Sequence, residues 1–118
     1  MSTFTTRHLS GSTSGRGIKV VATATLGTTI HTAVAGAADF DRVWLSVRNS
    51  SAAVVRLTIE WGGVTSPDDL TYYDVPAAGE GSRLIEDGRM LNGTRVITAF
   101  AATANVLMIS GRVTRYTA

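Results

Sequence analysis

The sequence predicts an all-β fold, an antiparallel β-sandwich or jelly roll of about eight strands with an extended N-terminal arm. Three observations carry that expectation. Residues 54–61 alternate Val55, Leu57, Ile59 and Trp61 with Val54, Arg56, Thr58 and Glu60, the period-two pattern of a half-buried strand. Turn-forming clusters recur at spacings of roughly ten residues, as they do in all-β sandwiches. No window long enough for a helix carries a 3.6-residue apolar period.

Taken in order, residues 2–17 are mostly Ser, Thr, Gly and Arg, with Phe4 and Leu9 the only sizeable apolar groups. Such a segment offers too little apolar surface to offset its ordering entropy, so residues 1–17 read as a flexible arm. A single sandwich domain then spans residues 18–118. Residues 18–25 and 28–34 are rich in β-branched side chains and are separated by Leu26-Gly27. Residues 42–49 place Val43, Leu45 and Val47 on one face, with Trp44, Ser46 and Arg48 on the other. The loop from Asn49 to Ala53 leads into residues 54–61, so the two runs share one core-facing side. Gly62-Gly63 and Ser66-Pro67-Asp68-Asp69 then make a turn, residues 70–75 a short strand, and Pro76 to Gly81 another break. Residues 83–86 form a strand that ends at Asp87-Gly88, with Asn92-Gly93 beyond, both dipeptides suited to positive φ. Residues 94–103 and 106–116 are the last pair, joined at Ala104-Asn105. Gly111 within the final strand marks a bulge or a close backbone approach. Val21, Val54 and Ile97 fall on nominally outer faces, where a second sheet or another subunit would have to cover them.

A chain of 118 residues is one domain, able to bury roughly 65% of its unfolded surface. Hydrophobic residues at 44% and charged residues at 17% are a globular composition, without a run long enough to span a membrane. The N-terminus lacks the charged start and apolar stretch of a secretory signal, so the two glycosylation-type triplets, at Asn49 and Asn92, carry little weight. The absence of cysteine excludes disulfides, thiolate metal sites and cysteine nucleophiles. A net charge of +2 is too small to imply nucleic-acid binding, and no aromatic–basic stripe suggests a stacking platform. The positive excess belongs to the N-terminal stretch: Arg7, Arg16 and Lys19 precede the first acid, Asp39.

Chemical motifs are sparse. His8 and His31 lack metal-ligand spacing, and His31 reads as a strand-face residue. Asp39, Asp41, Asp68 and Asp69 sit beside loops, where solvated turn or capping roles are the default. The glycines of 14–17 and 79–81 lack the preceding strand and following helix of a phosphate loop. No nucleophile elbow is present, so the expectation is a non-catalytic domain without metal or cofactor.

One set of segments carries a family likeness. Glu60-Trp-Gly-Gly-Val-Thr-Ser-Pro-Asp-Asp69, Val75-Pro-Ala-Ala-Gly79, Gly88-Arg-Met-Leu-Asn-Gly93 and Val96-Ile-Thr-Ala-Phe-Ala-Ala-Thr-Ala-Asn105 are its main parts, with Arg7-His-Leu-Ser-Gly-Ser-Thr-Ser-Gly-Arg16 before them. In texture and turn placement these resemble small virion structural proteins of tailed bacteriophages. The resemblance implies a β-rich, non-catalytic module of the particle, made in the bacterial cytoplasm and assembled into the virion. A capsid decoration (cement) protein is the leading expectation, as a homo-oligomer, a trimer by preference, bound to capsid proteins. A neck or tail component, such as a head–tail adaptor or a fibre-anchoring ring, is the alternative. A carbohydrate-binding sandwich is the contrary class, with Trp44 as its exposed aromatic. The candidate partner-binding residues are Phe4 and Leu9 as apolar anchors of the arm, Arg7 and Arg16 as forked donors to carboxylates, and Trp44 as an interface aromatic. No nucleic acid and no membrane are expected among the partners.

Overall fold

Nine strands and one turn of 3-10 helix (Ala78–Glu80) make up the regular structure of the computed structural model, which describes residues 2–118. The strands are β1 (Thr3–Arg7), β2 (Ile18–Lys19), β3 (Thr28–Thr32), β4 (Phe40–Asn49), β5 (Val55–Trp61), β6 (Leu70–Val75), β7 (Arg83–Leu91), β8 (Val96–Ala101) and β9 (Leu107–Thr117). Every pairing is antiparallel: β2 with β9, β3 with β8, β4 with β7 and β5 with β6. From β2 to β9 the chain is therefore one long hairpin rolled up, with β2 and β9 at its open end and β5 and β6 at its closed end. Cross-pairing of β4 with β9 and β5 with β8 closes two sheets. The front sheet has five strands, β9-β4-β7 with both β1 and β2 on the free side of β9, and the back sheet runs β3-β8-β5-β6. This is the strand order of a jelly roll.

The core lies between the sheets and follows from the alternation. Val43, Leu45 and Val47 of β4 face Val55, Leu57, Ile59 and Trp61 of β5, and all seven are buried. Ile109 and Val113 extend the front inner face, and Ile97, Ala99 and Ala101 the back one. Each large aliphatic group so buried stabilises the fold by about 1.5–3 kcal/mol relative to exposure. Gly111 sits where β9 passes the carbonyl of Trp44 so closely that any Cβ would collide with the β4 backbone. Of the two roles open to it, close approach is the one realised, since the β4–β9 register runs through Gly111 without a shift.

Four expectations need correction. The arm is not separate from the domain: residues 3–7 form β1 on the far half of β9, and Leu9 is buried in the core. Threonine-rich residues 3–7 satisfy their backbone on an edge, while Leu9 supplies the apolar anchor that residues 10–17 lack. Met1 of that arm lies outside the described residues. The strand expected over 18–25 is only β2, because residues 22–27 leave the front sheet and cross the outer face of the back sheet. Asp87-Gly88 is not a turn but lies inside β7. Gly88, at φ +81°, is the extra residue of a bulge between the Val43–Arg89 and Trp44–Asp87 pairs. Ile97 points inward, while Thr98 takes the outer position.

Candidate functional site

Two polar constellations stand out, one buried and one exposed. The buried one joins β3, β4 and β9. Asp41 lies fully buried, where a turn role was expected. Its carboxylate accepts from Arg115 Nε at 2.7 Å and Nη2 at 2.9 Å, from the Val34 N–H at 3.2 Å and from His31 Nε2 at 2.7 Å. Ser10 completes the set from the N-terminal segment. Its N–H donates to His31 Nδ1 at 3.0 Å, and its hydroxyl oxygen accepts from the Thr32 N–H at 2.7 Å. Burial lowers the His31 pKa despite the raising effect of Asp41. Burial pushes Asp41 up, but the bonds from Arg115 and His31 outweigh it, so its carboxyl sits below the usual range.

Ser10, His31 and Asp41 are the residue types of a hydrolytic triad, and their connections are not those of one. A triad imidazole keeps one nitrogen on the orienting acid and offers the other to the nucleophile hydroxyl. Here that other nitrogen is taken by a backbone N–H, and the Ser10 hydroxyl is bonded to Thr32. The arrangement can hold the N-terminal segment against β3. It leaves no lone pair for proton abstraction.

The exposed constellation is the outer face of the front sheet. Register places Phe4, Tyr116 and Phe40 in one row across β1, β9 and β4, with ring centroids 5.2 and 5.0 Å apart. The next row holds Arg42 and Met90, and the one after holds Arg112, Trp44 and Asp87. Lys19, Met108 and Arg48 form the row at the other end. The Arg112 guanidinium lies 4.1 Å from the Trp44 ring centroid, and Trp44 Nε1 donates to Asp87 at 3.0 Å. Asp87 is the one acid at ladder positions of this face among the described residues. Arg42, Arg48, Arg112 and Lys19 form no ion pair among the described residues.

The five residues expected to bind partners are distributed across these features. Phe4 is 65% exposed and heads the aromatic row. Trp44 stands at the centre of the outer face, half-buried by Arg112 and Gly88. Arg7 is exposed on β1, its Nε donating to the Thr5 hydroxyl at 3.3 Å. Arg16 lines a cleft with Lys19 and Arg48. Leu9 is 1% exposed and is a core residue of its own chain, so it cannot anchor the arm on a neighbour. No protein-family model, curated protein or solved structure matches the chain. Sequence reasoning missed Arg112, Tyr116 and Met90, whose signal is register: they join the Trp44 face only once β4 is paired with β7 and β9. It also missed Arg42, whose place two residues before Trp44 follows from alternation along β4. Among the described residues, no three His, Asp or Glu side chains are grouped where they could hold a metal ion. The same residues contain no helix long and apolar enough to cross a membrane.

Proposed function

We propose that the chain is a non-catalytic structural module of a tailed-bacteriophage particle, a capsid decoration protein that docks through the outer face of its front sheet. The observation that carries this reading is the make-up of that face. Phe4, Tyr116, Phe40, Trp44, Met90 and three unpaired arginines stand together with a single acid. Aromatic residues, Met and Arg are the types enriched in protein interfaces, and acids are depleted there. The excess of cations calls for an acidic partner surface. Jelly rolls also build capsid and lectin domains, a fold-level analogy that agrees with the reading. Stabilisation would follow from mass action: a protein that binds only the assembled lattice raises the free energy of opening it.

Oligomerisation belongs to the same proposal. Val54, Val21 and Leu26 are 65%, 56% and 68% exposed, more apolar surface than an isolated sandwich needs. A trimer on the lattice would cover such patches. The carbohydrate-binding alternative is less well supported, because Arg112 occupies a face of the Trp44 ring on which a sugar would stack.

The test is co-sedimentation of the purified chain with particles lacking it, with the bound copies counted. Saturation at hundreds of copies fits decoration of the head. Saturation near a dozen fits a neck or tail ring, both being order-of-magnitude figures from closed symmetry. Absence of binding, with recognition on a glycan array, would leave the carbohydrate reading instead.

A further inference from the structure

We propose that the cleft between the turn of residues 11–17 and the Lys19–Met108–Arg48 row binds a run of carboxylates, an Asp/Glu-rich segment of a partner protein. The inference rests on the reading of the front sheet as a docking face, and it names the chemistry recognised there. The cleft has a volume of about 650 Å³, within the range of about 300–1,000 Å³ usual for ligand sites. Arg16 and Lys19 line it from one stretch of the chain and Arg48 from β4, and no acid does. None of the three makes a side-chain hydrogen bond or ion pair among the described residues. Three like charges facing one cavity repel each other, and an anion placed between them removes that cost.

The placement of Arg16 is built into the backbone. The Ser12 hydroxyl donates to the Arg16 carbonyl at 2.6 Å, and the Arg16 N–H donates to the Thr13 carbonyl at 3.0 Å. Ser14 and Gly15 take positive φ to close the turn, which the Gly11 N–H ties to the Ile30 carbonyl at 2.9 Å. The Arg16 backbone is thus fixed beside Lys19 before any ligand arrives, so that binding has to order the side chains and not the turn. Two guanidinium forks match planar carboxylates in bidentate fashion, and Met108 offers an apolar floor for their methylene stems. Because the Lys19–Met108–Arg48 row is continuous with the outer face, a segment lying on that face reaches the cleft.

The experiment is calorimetric titration of the full chain with a hexaglutamate peptide at low salt. Arg16→Gln and Arg48→Gln should each weaken binding about three- to fivefold, the scale of an exposed ion pair, and added salt should weaken it further. Arg56→Gln removes the same charge from the outer face of the back sheet and should change binding less than twofold. All three side chains are exposed, so the variants should melt with the wild type. Equal weakening by all three substitutions, or no peptide binding at all, would overturn the proposal. Tighter binding of an oligodeoxynucleotide of equal charge would overturn the assignment of carboxylates. Peptide binding that depends on Arg16 and Arg48, in a chain that does not sediment with particles, would support the cleft while sinking the phage reading.

Discussion

Ser10 donates its backbone N–H to His31 Nδ1, and that bond decides the tautomer of a buried imidazole. With Nδ1 accepting, the ring proton sits on Nε2 and is donated to Asp41. Protonating Nδ1 would set two donors against each other, so burial and this contact both favour the neutral ring.

Stability should therefore fall on acidification in two windows. The unfolded chain takes up a proton on His31 near pH 6.5, while the folded chain resists until lower pH. In that interval the unfolded state binds more protons, so stability declines as pH drops from about 6.5. Asp41, held below 3.8 in the folded state, adds a contribution that is present above that value and lost as pH falls through the lower folded one. Thermal melts should show a decline from pH 7 to 5 and a steeper one below pH 4. Nitrogen-15 spectra of the ring should show the neutral Nε2–H form at pH 6.5. An imidazolium at that pH, with a flat melt between 7 and 5, would contradict the assignment.

The N-terminal segment should divide in truncation experiments. All five residues of β1 are exposed, whereas Leu9 is in the core and Ser10 completes the His31 network. Removal of residues 2–7 should leave a cooperatively folding sandwich. Removal of residues 2–17 should cost at least as much as Leu9→Ala, which is expected at roughly 2–5 kcal/mol, the range also expected for Leu57→Ala. Denaturant unfolding of the four variants checks the order. Equal stability of the two truncations would show that Leu9 and Ser10 are not held as described.

Local patterning made β4 and β5 legible, because each buries one face and leaves the other to polar groups. It failed where a strand's environment is set from far away. Thr3–Arg7 buries neither face, its one apolar side chain Phe4 being exposed, and its partner β9 lies about a hundred residues along the chain, so only the β propensity of its threonines and Phe4 hints at a strand. Gly88 suits a turn and a bulge equally, since both need positive φ, and only pairing with β4 distinguishes them. Asp41 alternates like a core residue but carries a charge. Its burial depends on Arg115, which sequence distance conceals and the β4–β9 register supplies. Trp44 is legible as an outer-face aromatic from alternation along β4, but Arg112 beside it is not, for the same reason.

Glu60 makes a sharper case, since it is 1% exposed on what alternation marks as a polar face. The Gly27 N–H and the Thr98 hydroxyl donate to one carboxylate oxygen at 2.8 and 2.6 Å, and the Thr25 hydroxyl donates to the other at 2.7 Å. The carboxylate thereby pins residues 25–27 over the back sheet. Glu60→Gln keeps an acceptor for Gly27 and Thr98 and can turn its amide toward Thr25, whose hydroxyl then accepts. It should change stability by less than about 1 kcal/mol. Glu60→Ala strands the buried Thr98 donor at about 1–3 kcal/mol and leaves the half-buried Gly27 N–H without its partner. Unfolding curves for the pair decide the point, and a Gln variant as unstable as the Ala variant would mean the charge itself is required.

The docking face can be tested apart from stability. Trp44 lies on the outer side of the front sheet, packed by Arg112 and Gly88 and not by the core. Trp44→Ala should therefore cost the fold little, about 1 kcal/mol or less, an ordinary surface-scale effect. At an interface the same truncation removes an aromatic anchor of the kind worth about 2 kcal/mol or more, or roughly thirtyfold in affinity. Tyr72 is the matching control: it is 51% exposed on the outer face of the back sheet, opposite Thr58. Particle co-sedimentation should weaken markedly for Trp44→Ala and hold for Tyr72→Ala, with both proteins melting close to the wild type. The reverse pattern would move the docking surface to the back sheet. Loss by neither variant would leave the aromatic and arginine rows without the role proposed for them.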